Sequence, residues 1–453
     1  MNLPQIMVAA PASGSGKTTA ACALLTALRR RGLAPCAFKC GPDYIDPMFH
    51  RAALGVDSCN LDLFLTRPAR LRQLYAQRLA GHGAAVVEAA MGYYDGAALT
   101  DAASAWQVAD TLGLPVLLVV RPGGASLTLA AQIRGLRAFR PDSHLAAILL
   151  NECSPGYAAR LAPLLERETG LPVIGCLPRL EEARLPSRHL GLYTAAEIDN
   201  LSGRLNALAD ALEANASLDR LLDLCRRPAP EAAAEALPPV RAKIAVARDA
   251  AFSFCYPESL DALRAAGAEC VFFSPLKDAA LPAVGGLYLP GGYPELYAGA
   301  LSQNQPMRRA VAAAVQSGMP TVAECGGFLY LGQALSDEEG KRWPMAGVLP
   351  GEGFAARGLV RFGYASLTAE EDSLLFRSGE AVPVHEFHHW DSTDPGTALA
   401  AQKPDGRAWR CGFVSARLYA AFPHLYWAGR PELAARFADA AAAYRKENHH
   451  AAV

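Results

Sequence analysis

The sequence predicts two α/β domains in one chain, each built on a largely parallel sheet with its own core. Three observations carry this. Strand-sized apolar runs alternate with Ala- and Leu-rich helical stretches through the first half. A proline-rich segment then breaks the pattern, and the alternation restarts beyond it. The 453 residues, 51% hydrophobic and 19% charged, supply enough apolar material for two or three domains of ordinary size.

In the first half, Ile6–Ala10, Ala84–Glu88, Val116–Val120 and Ala146–Leu150 read as buried strands, with Val173–Leu177 as a later one. Thr18–Arg31, Ala69–Ala80 and Tyr157–Glu168 read as the helices between them. Short buried strands separated by helices imply a sheet covered on both faces. Residues 226–240 hold four prolines and no apolar period, which marks a linker between domains 1–225 and 241–453. Beyond it, Lys243–Ala247, Cys270–Phe273, Gly286–Leu289 and Thr321–Ala323 are strands, while Tyr256–Ala266 and Gly326–Leu335 are helices.

Composition excludes several classes of function. A formal net charge of -1 gives no Lys/Arg surplus for nucleic acid or an anionic membrane surface. The longest apolar runs, such as Leu114–Val120, are far too short to span a bilayer, and the first residues read as a strand rather than a signal peptide. The eleven cysteines are scattered; Cys36 and Cys40 lack a second close pair to complete a zinc site. The expectation is a soluble cytoplasmic protein with reduced thiols.

Two motifs carry chemistry. Residues 10–19 read A-P-A-S-G-S-G-K-T-T between a strand and a helix, the setting a phosphate-binding loop requires. Backbone N–H groups of Ser13, Gly14, Ser15, Gly16 and Thr19 would face phosphate oxygens at the helix N-terminus. Lys17 would neutralise the β/γ-phosphates of a nucleotide and Thr18 would hold Mg²⁺. Metal-assisted phosphoryl transfer also needs carboxylates. Asp43, in K-C-G-P-D-Y-I-D, and Glu88, ending A-A-V-V-E, stand where parallel strands should end. The competing reading is that Asp43 and Asp46 merely cap turns beside Pro42 and Pro47.

The second motif is P-T-V-A-E-C-G-G-F-L-Y-L, where an apolar run ends at Cys325 and glycines precede a helix. This is a nucleophile elbow, expected to expose the thiol at a helix N-terminus that lowers its pKa. The N–H groups of Gly292, in L-P-G-G-Y-P-E, and Gly326 could form an oxyanion hole, and His424 is the candidate base. His385–His389 reads H-E-F-H-H, which matches a zinc-protease pattern. That chemistry needs a helix, and Pro383 with the following W-D-S-T-D-P argues against one.

Taken together, these residues resemble the cobyrinic acid a,c-diamide synthases, glutamine-dependent amidases of corrinoid biosynthesis. The resemblance covers nearly the whole chain. It rests on APASGSGKTT, KCGPDYIDPMFH, VEAAMGYYDG, LPSRHLGL, ARDAAFSF, PGGYPELYA, AECGGFLYL, LVRFGYA and HEFHH, in that order. It implies an N-terminal P-loop domain of the dethiobiotin-synthetase type and a C-terminal domain like the class I glutamine amidotransferases. It further implies that Thr18, Asp43 and Glu88 handle Mg²⁺, that Asp46 is a second catalytic acid, and that Asn151 reads adenine. Cys325 would be the glutaminase nucleophile and His424 its base. L-Glutamine would form a thioester and release ammonia, which would travel internally to an acyl phosphate made from ATP. The acceptor would be the a and c side chains of cobyrinic or hydrogenobyrinic acid.

The chain departs from the family at Ala10–Pro11, where Gly-Thr is frequent, and at Ala89, where Gly is. Tyr426 stands where many class I glutaminases have a Glu, so the group orienting His424 is unassigned. A ParA/MinD-like positioning ATPase is disfavoured because Ala12 replaces its signature lysine and because of the second domain. A docking pseudo-glutaminase is disfavoured by the intact Cys325 and His424. Cobyric acid synthase fits HEFH and PDYIDP less well, while a nickel-sirohydrochlorin a,c-diamide synthase stays open. The corrin-binding residues are unassigned, and the oligomeric state is open, with a homodimer among the options.

Overall fold

A computed structural model describes residues 2–185, 187, 188, 191, 192, 198–233 and 236–450. Pro186, His189 and Leu190 of the LPSRHLGL segment lie outside the described residues. The chain divides into two compact units, Met1–Ala234 and Glu235–Val453.

The first unit runs β1 (Asn2–Ala9), α1 (Lys17–Arg30), β2 (Pro35–Cys40), α2 (Ile45–Leu54), β3 (Ser58–Leu61), α3 (Pro68–Leu79) and β4 (Ala84–Glu88). It continues through α4 (Ala105–Leu112), β5 (Val116–Val120), α5 (Leu127–Ala138), β6 (Leu145–Asn151), α6 (Pro155–Thr169) and β7 (Val173–Leu177). A two-residue pair, β8 (Ser187–Arg188) and β9 (Gly191–Leu192), precedes α7 (Leu201–Asn215), α8 (Leu218–Leu224) and β10 (Arg226–Pro228). Seven strands form a parallel sheet ordered β3-β2-β4-β1-β5-β6-β7. The sheet is apolar on both faces, because alternate residues of β1 enter different cores. Met7 joins Phe38, Val87 and Ile133 on one side, and Ile6 and Val8 join Leu24 and Leu208 on the other. Strands β2–β4 lie on one side of β1 and β5–β7 on the other, so the strand order reverses there. In such sheets the carboxyl ends beside the reversal form the binding crevice. The first residues of the expected linker pair antiparallel with the start of β1 as β10.

The second unit begins with β11 (Ala242–Ala247), α9 (Pro257–Ala265), β12 (Ala268–Phe273), β13 (Gly286–Leu289), α10 (Ala298–Gln303) and α11 (Gln305–Gln316). The elbow follows as β14 (Thr321–Glu324) and α12 (Gly326–Leu331). Next come β15 (Ala334–Ser336), β16 (Arg342–Pro344), β17 (Glu352–Ala369), β18 (Ala381–Ser392), β19 (Leu399–Gln402) and β20 (Ala408–Cys411). The unit closes with β21 (Phe413–Ser415), β22 (Leu418–Ala421), β23 (His424–Leu425) and α13 (Pro431–His450). One sheet, β12-β11-β13-β14-β22-β21, is parallel except for β21. A second sheet, centred on the long antiparallel pair β17–β18, also takes in β15, β16, β19, β20 and β23. The helix expected over Gly326–Leu335 stops at Leu331, because Gly332 turns extended (φ -65°, ψ 177°) and the chain enters β15. Among the described residues no helix is long and apolar enough to cross a membrane.

Trp427 anchors the second core: it is fully buried, with ring centroids 5.1 Å from Tyr288 and 5.6 Å from Phe437. Trp427→Ala is expected to cost about 3–5 kcal/mol of stability through the cavity it leaves. Chemical unfolding should show this as a lower midpoint.

Candidate active site

The loop after β1 reaches its shape through glycine. Gly16 sits at φ 97°, and a Cβ there would lie 2.0 Å from Asn151 Nδ2. No side chain fits, so the β6 end can close on the loop, where Asn151 Nδ2 donates to Ser15 O at 2.9 Å. Gly14 is also left-handed, and Ser15 Oγ donates to Ala12 O at 2.9 Å, which tightens the turn across Ser13. Lys17 and Thr18 open α1, followed by Thr19. The Lys17 ammonium bends back to donate to Ala12 O at 3.2 Å and Met91 O at 2.5 Å. Met91 holds φ 48°, a conformation that side chains rarely adopt. Gly92 N–H donates to Asp95 Oδ2 at 3.0 Å beside it.

At the carboxyl end of β4, Glu88 is completely buried. Its Oε1 accepts from Thr18 Oγ1 at 2.5 Å and from Lys39 Nζ at 2.8 Å. Lys39 lies directly across from Glu88 in the β2–β4 register and also pairs with Asp46 Oδ2 at 2.6 Å. His50 Nε2 stands 3.6 Å from Glu88 Oε2. Asp43 caps α2, with its Oδ1 accepting from Ile45 N at 2.8 Å and Asp46 N at 3.1 Å. Asp43 thus binds turn N–H groups through one oxygen, as the turn reading expects, while Asp46 joins the buried charge cluster.

Charge and burial compete here. Burial drives the Glu88 carboxyl upward, but Lys39 and His50 hold it well below the usual carboxylate range. Burial and the nearby Asp43 push Asp46 up to about 7, against the pull of Lys39. Asp46 is therefore the member of the cluster poised to exchange a proton near neutrality. Burial, then the charge of Lys39, lowers Lys17 to about 8.

The donor set fits a hard divalent cation. It is made of oxygens, and Glu88 Oε2 is buried without a hydrogen-bond donor among the described residues. No group of three His, Cys, Asp or Glu among the described residues is placed to hold a metal ion unaided.

In the second unit Cys325 occupies φ 47°, ψ -101°, the strained turn of an elbow, between β14 and α12. Its N–H bonds Ala421 O at 2.9 Å, so the turn is locked to the end of β22, three residues before His424. The Gly291–Gly292 loop closes on this point. A Cβ on Gly291 would lie 2.5 Å from His424 Cε1 and 3.4 Å from Nε2, and one on Gly326 would lie 3.1 Å from Gly292 N. The structure thus brings Cys325, His424 and the two backbone N–H groups of Gly292 and Gly326 to one place.

The thiol differs from expectation. The Gly326 N–H lowers its pKa, but burial, followed by Glu295 and Glu386, outweighs it and pushes the thiol well up. The resting side chain is therefore a neutral thiol, which needs a base to become a nucleophile. The H-E-F-H-H segment lies in β18, not in a helix. Glu386 Oε1 accepts from Arg361 Nε at 2.7 Å and meets His388 Nε2 at 2.8 Å, which ties LVRFGYA to HEFHH.

Lys39, His50 and Glu324 were not assigned from sequence. Lys39 had a signal: a lysine inside a buried strand demands a counter-charge, and Glu88 ends a neighbouring strand. His50, eight residues from its partner Ser58, had none. Glu324 was overlooked because it reads simply as the last strand residue before the nucleophile.

The fold and the two sites define a phosphate-loop nucleotide-binding unit joined in one chain to a glutamine amidotransferase unit. Residues 6–192 match the family described as CobQ/CobB/MinD/ParA nucleotide binding domain. Residues 243–432 match the CobB/CobQ-like glutamine amidotransferase domain. The chain is 40% identical over 439 residues to a cobyrinate a,c-diamide synthase of Gloeobacter violaceus, covering 95% of this chain and 96% of that one. It is 38% identical over 445 residues to that of Salmonella typhimurium (94% and 96% covered) and 35% over 441 to that of Listeria innocua (95% and 97%). The chain belongs to the cobyrinate a,c-diamide synthase family, and it is a glutamine-dependent ligase.

Because the folded Lys17 pKa lies below its ordinary 10.5, the fold disfavours the charged ammonium. That penalty is complete below about pH 8 and is relieved as pH rises. An anionic triphosphate reverses the preference. MgATP binding at about pH 8.5 should therefore take up a proton and weaken as pH climbs further. Calorimetry in buffers of different ionisation enthalpy would read the uptake, and Lys17→Arg should abolish it.

Proposed function

We propose that this protein amidates the a and c side-chain carboxylates of cobyrinic or hydrogenobyrinic acid, using ATP and L-glutamine. The observation that carries the reading is that one chain holds both a phosphate-type loop, with Lys17, Thr18 and Glu88 about it, and an elbow, with Cys325, His424, Gly292 and Gly326 about it.

In the first centre, the loop N–H groups of Ser13–Thr19 and the Lys17 ammonium bind the triphosphate, and Asn151 holds the loop and contacts the base. Thr18, Glu88 and Asp43 would hold Mg²⁺, which would neutralise phosphate charge. Asp46 takes the proton that the incoming ammonia loses as the amide forms. The carboxylate oxygen takes the γ-phosphoryl group and ADP leaves. Ammonia then displaces phosphate from the acyl carbon, which gives the amide.

In the second centre, His424 Nε2 takes the Cys325 proton and the thiolate attacks the glutamine carboxamide. The Gly292 and Gly326 N–H groups stabilise the oxyanion. The imidazolium returns its proton to the leaving nitrogen, so ammonia departs and a thioester remains for water to hydrolyse to glutamate. Each amide formed consumes one ATP and one glutamine. The protein is read as cytoplasmic, in keeping with its biosynthetic relatives.

Cys325→Ala is expected to lose glutamine-driven amidation while retaining turnover with ammonium salts. Lys17→Ala should lose amidation from both nitrogen sources, by a factor of about 10² or more. Mass spectrometry of tetrapyrrole products tests the acceptor: cobyrinic or hydrogenobyrinic acid should gain two amides. Conversion of nickel-sirohydrochlorin alone would reassign the substrate.

A further inference from the structure

The reading of Cys325 and His424 as a glutaminase pair leaves a gap. A histidine that must accept a thiol proton needs a partner on its other nitrogen to fix the ring and steady the imidazolium. Tyr426, two residues after the histidine, faces elsewhere. Its hydroxyl donates to the buried Glu258 Oε1 at 3.1 Å. His385, opposite His424 in the β18–β23 register, is held down to about 3 by burial, then by His424 and Lys403. A neutral imidazole there offers no counter-charge.

A carboxylate does reach His424 from an unexpected direction. Glu324, the residue immediately before the nucleophile, is completely buried, and its Oε2 lies 3.7 Å from His424 Nδ1. Two hydrogen bonds aim it. Tyr288 Oη donates to Oε2 at 3.0 Å, and the backbone N–H of Leu425, the residue after the histidine, donates to Oε1 at 3.2 Å. One carboxylate thus bonds the backbone of the strand that carries the ring and faces the ring itself at ion-pair distance. On the other side of the imidazole, Nε2 faces the Gly291 loop beside the elbow.

We infer that Glu324 is the positioning residue of the glutaminase, orienting His424 through Nδ1 so that Nε2 receives the Cys325 proton. Nucleophile and orienting acid are then adjacent in the chain. The side chain of β14's last residue points back under the sheet, while the elbow throws the next one forward. A proton held on Nδ1 toward Glu324 leaves Nε2 as the accepting nitrogen. When the thiol proton arrives there, the buried carboxylate balances the new charge, and no proton needs to pass to Glu324.

The inference rests on the reading of Cys325 and His424 given above, and the test separates the two. Glu324→Gln keeps the size and the acceptor for Leu425 but removes the charge. In the full-length enzyme, kcat for glutamine hydrolysis should fall about 10- to 100-fold. The KM for glutamine should stay within about twofold, and ammonia-driven amidation should be intact. Labelling of Cys325 by a glutamine-shaped diazoketone, read by peptide mass spectrometry, should slow by the same factor as kcat. Glu324→Asp, which restores the charge at a shorter reach, should recover part of the loss. A kcat for Glu324→Gln within about twofold of the parent overturns the inference, as does a loss that appears mainly in KM or that Glu324→Asp fails to relieve. If Cys325→Ala itself retains glutamine-driven turnover, the underlying reading falls instead.

Discussion

The first unit is organised around a carboxylate that has no access to water. Glu88 ends a central strand with its side chain in the core, where an unpaired charge would cost several kcal/mol. Lys39 from the neighbouring strand and Thr18 from the first turn of α1 meet it, and Asp46 shares the lysine. Each partner belongs to a different element, so satisfying one buried charge fixes β2, β4, α1 and α2 relative to one another. The same carboxylate touches the first turn after the phosphate loop through Oε1 and Thr18, while Oε2 faces His50 Nε2 at 3.6 Å. Stability and chemistry therefore draw on one residue: the charge that pins the elements together is the one placed to meet a cation.

Much of this was legible in the sequence where a local pattern suffices. Strands β4, β5, β7 and β13 fall on the residues read from apolar runs, because a strand buried on both faces writes itself as an uninterrupted apolar stretch. The phosphate loop and the elbow were legible because both depend on glycine at fixed spacing beside a strand. Strands β2 and β3 were not. Each carries a polar residue in its middle, Lys39 and Asn60, whose burial makes sense only with Glu88 and the Gly41 and Asp43 carbonyls in place. The antiparallel β17–β18 sheet was missed for a related reason. Its strands are half exposed and broken by a bulge around Arg361, so neither apolar runs nor clean alternation reveals them.

Long-range pairing also decided the details of the sites. Spacing alone could not separate Asp43, a helix cap, from Asp46, a buried partner of Lys39, since both sit in one turn-forming segment. It could not show that Glu324 faces the histidine a hundred residues downstream, because that depends on β14 and β22 lying side by side. The expected acidification of Cys325 by its helix failed quantitatively. A six-residue helix offers one N–H, and burial together with three carboxylates prevails.

That last balance bears on how the enzyme survives in air. Peroxide and disulfides react with thiolates, and a thiol kept protonated in a dry pocket is a poor target for either. At 6% exposure, Cys325 is shielded as well as uncharged. Its reactivity is conditional, appearing when a carboxamide lies against the Gly292 and Gly326 N–H groups and His424 removes the proton. Burial and protonation together thus slow the oxidation of the idle thiol toward sulfenic acid.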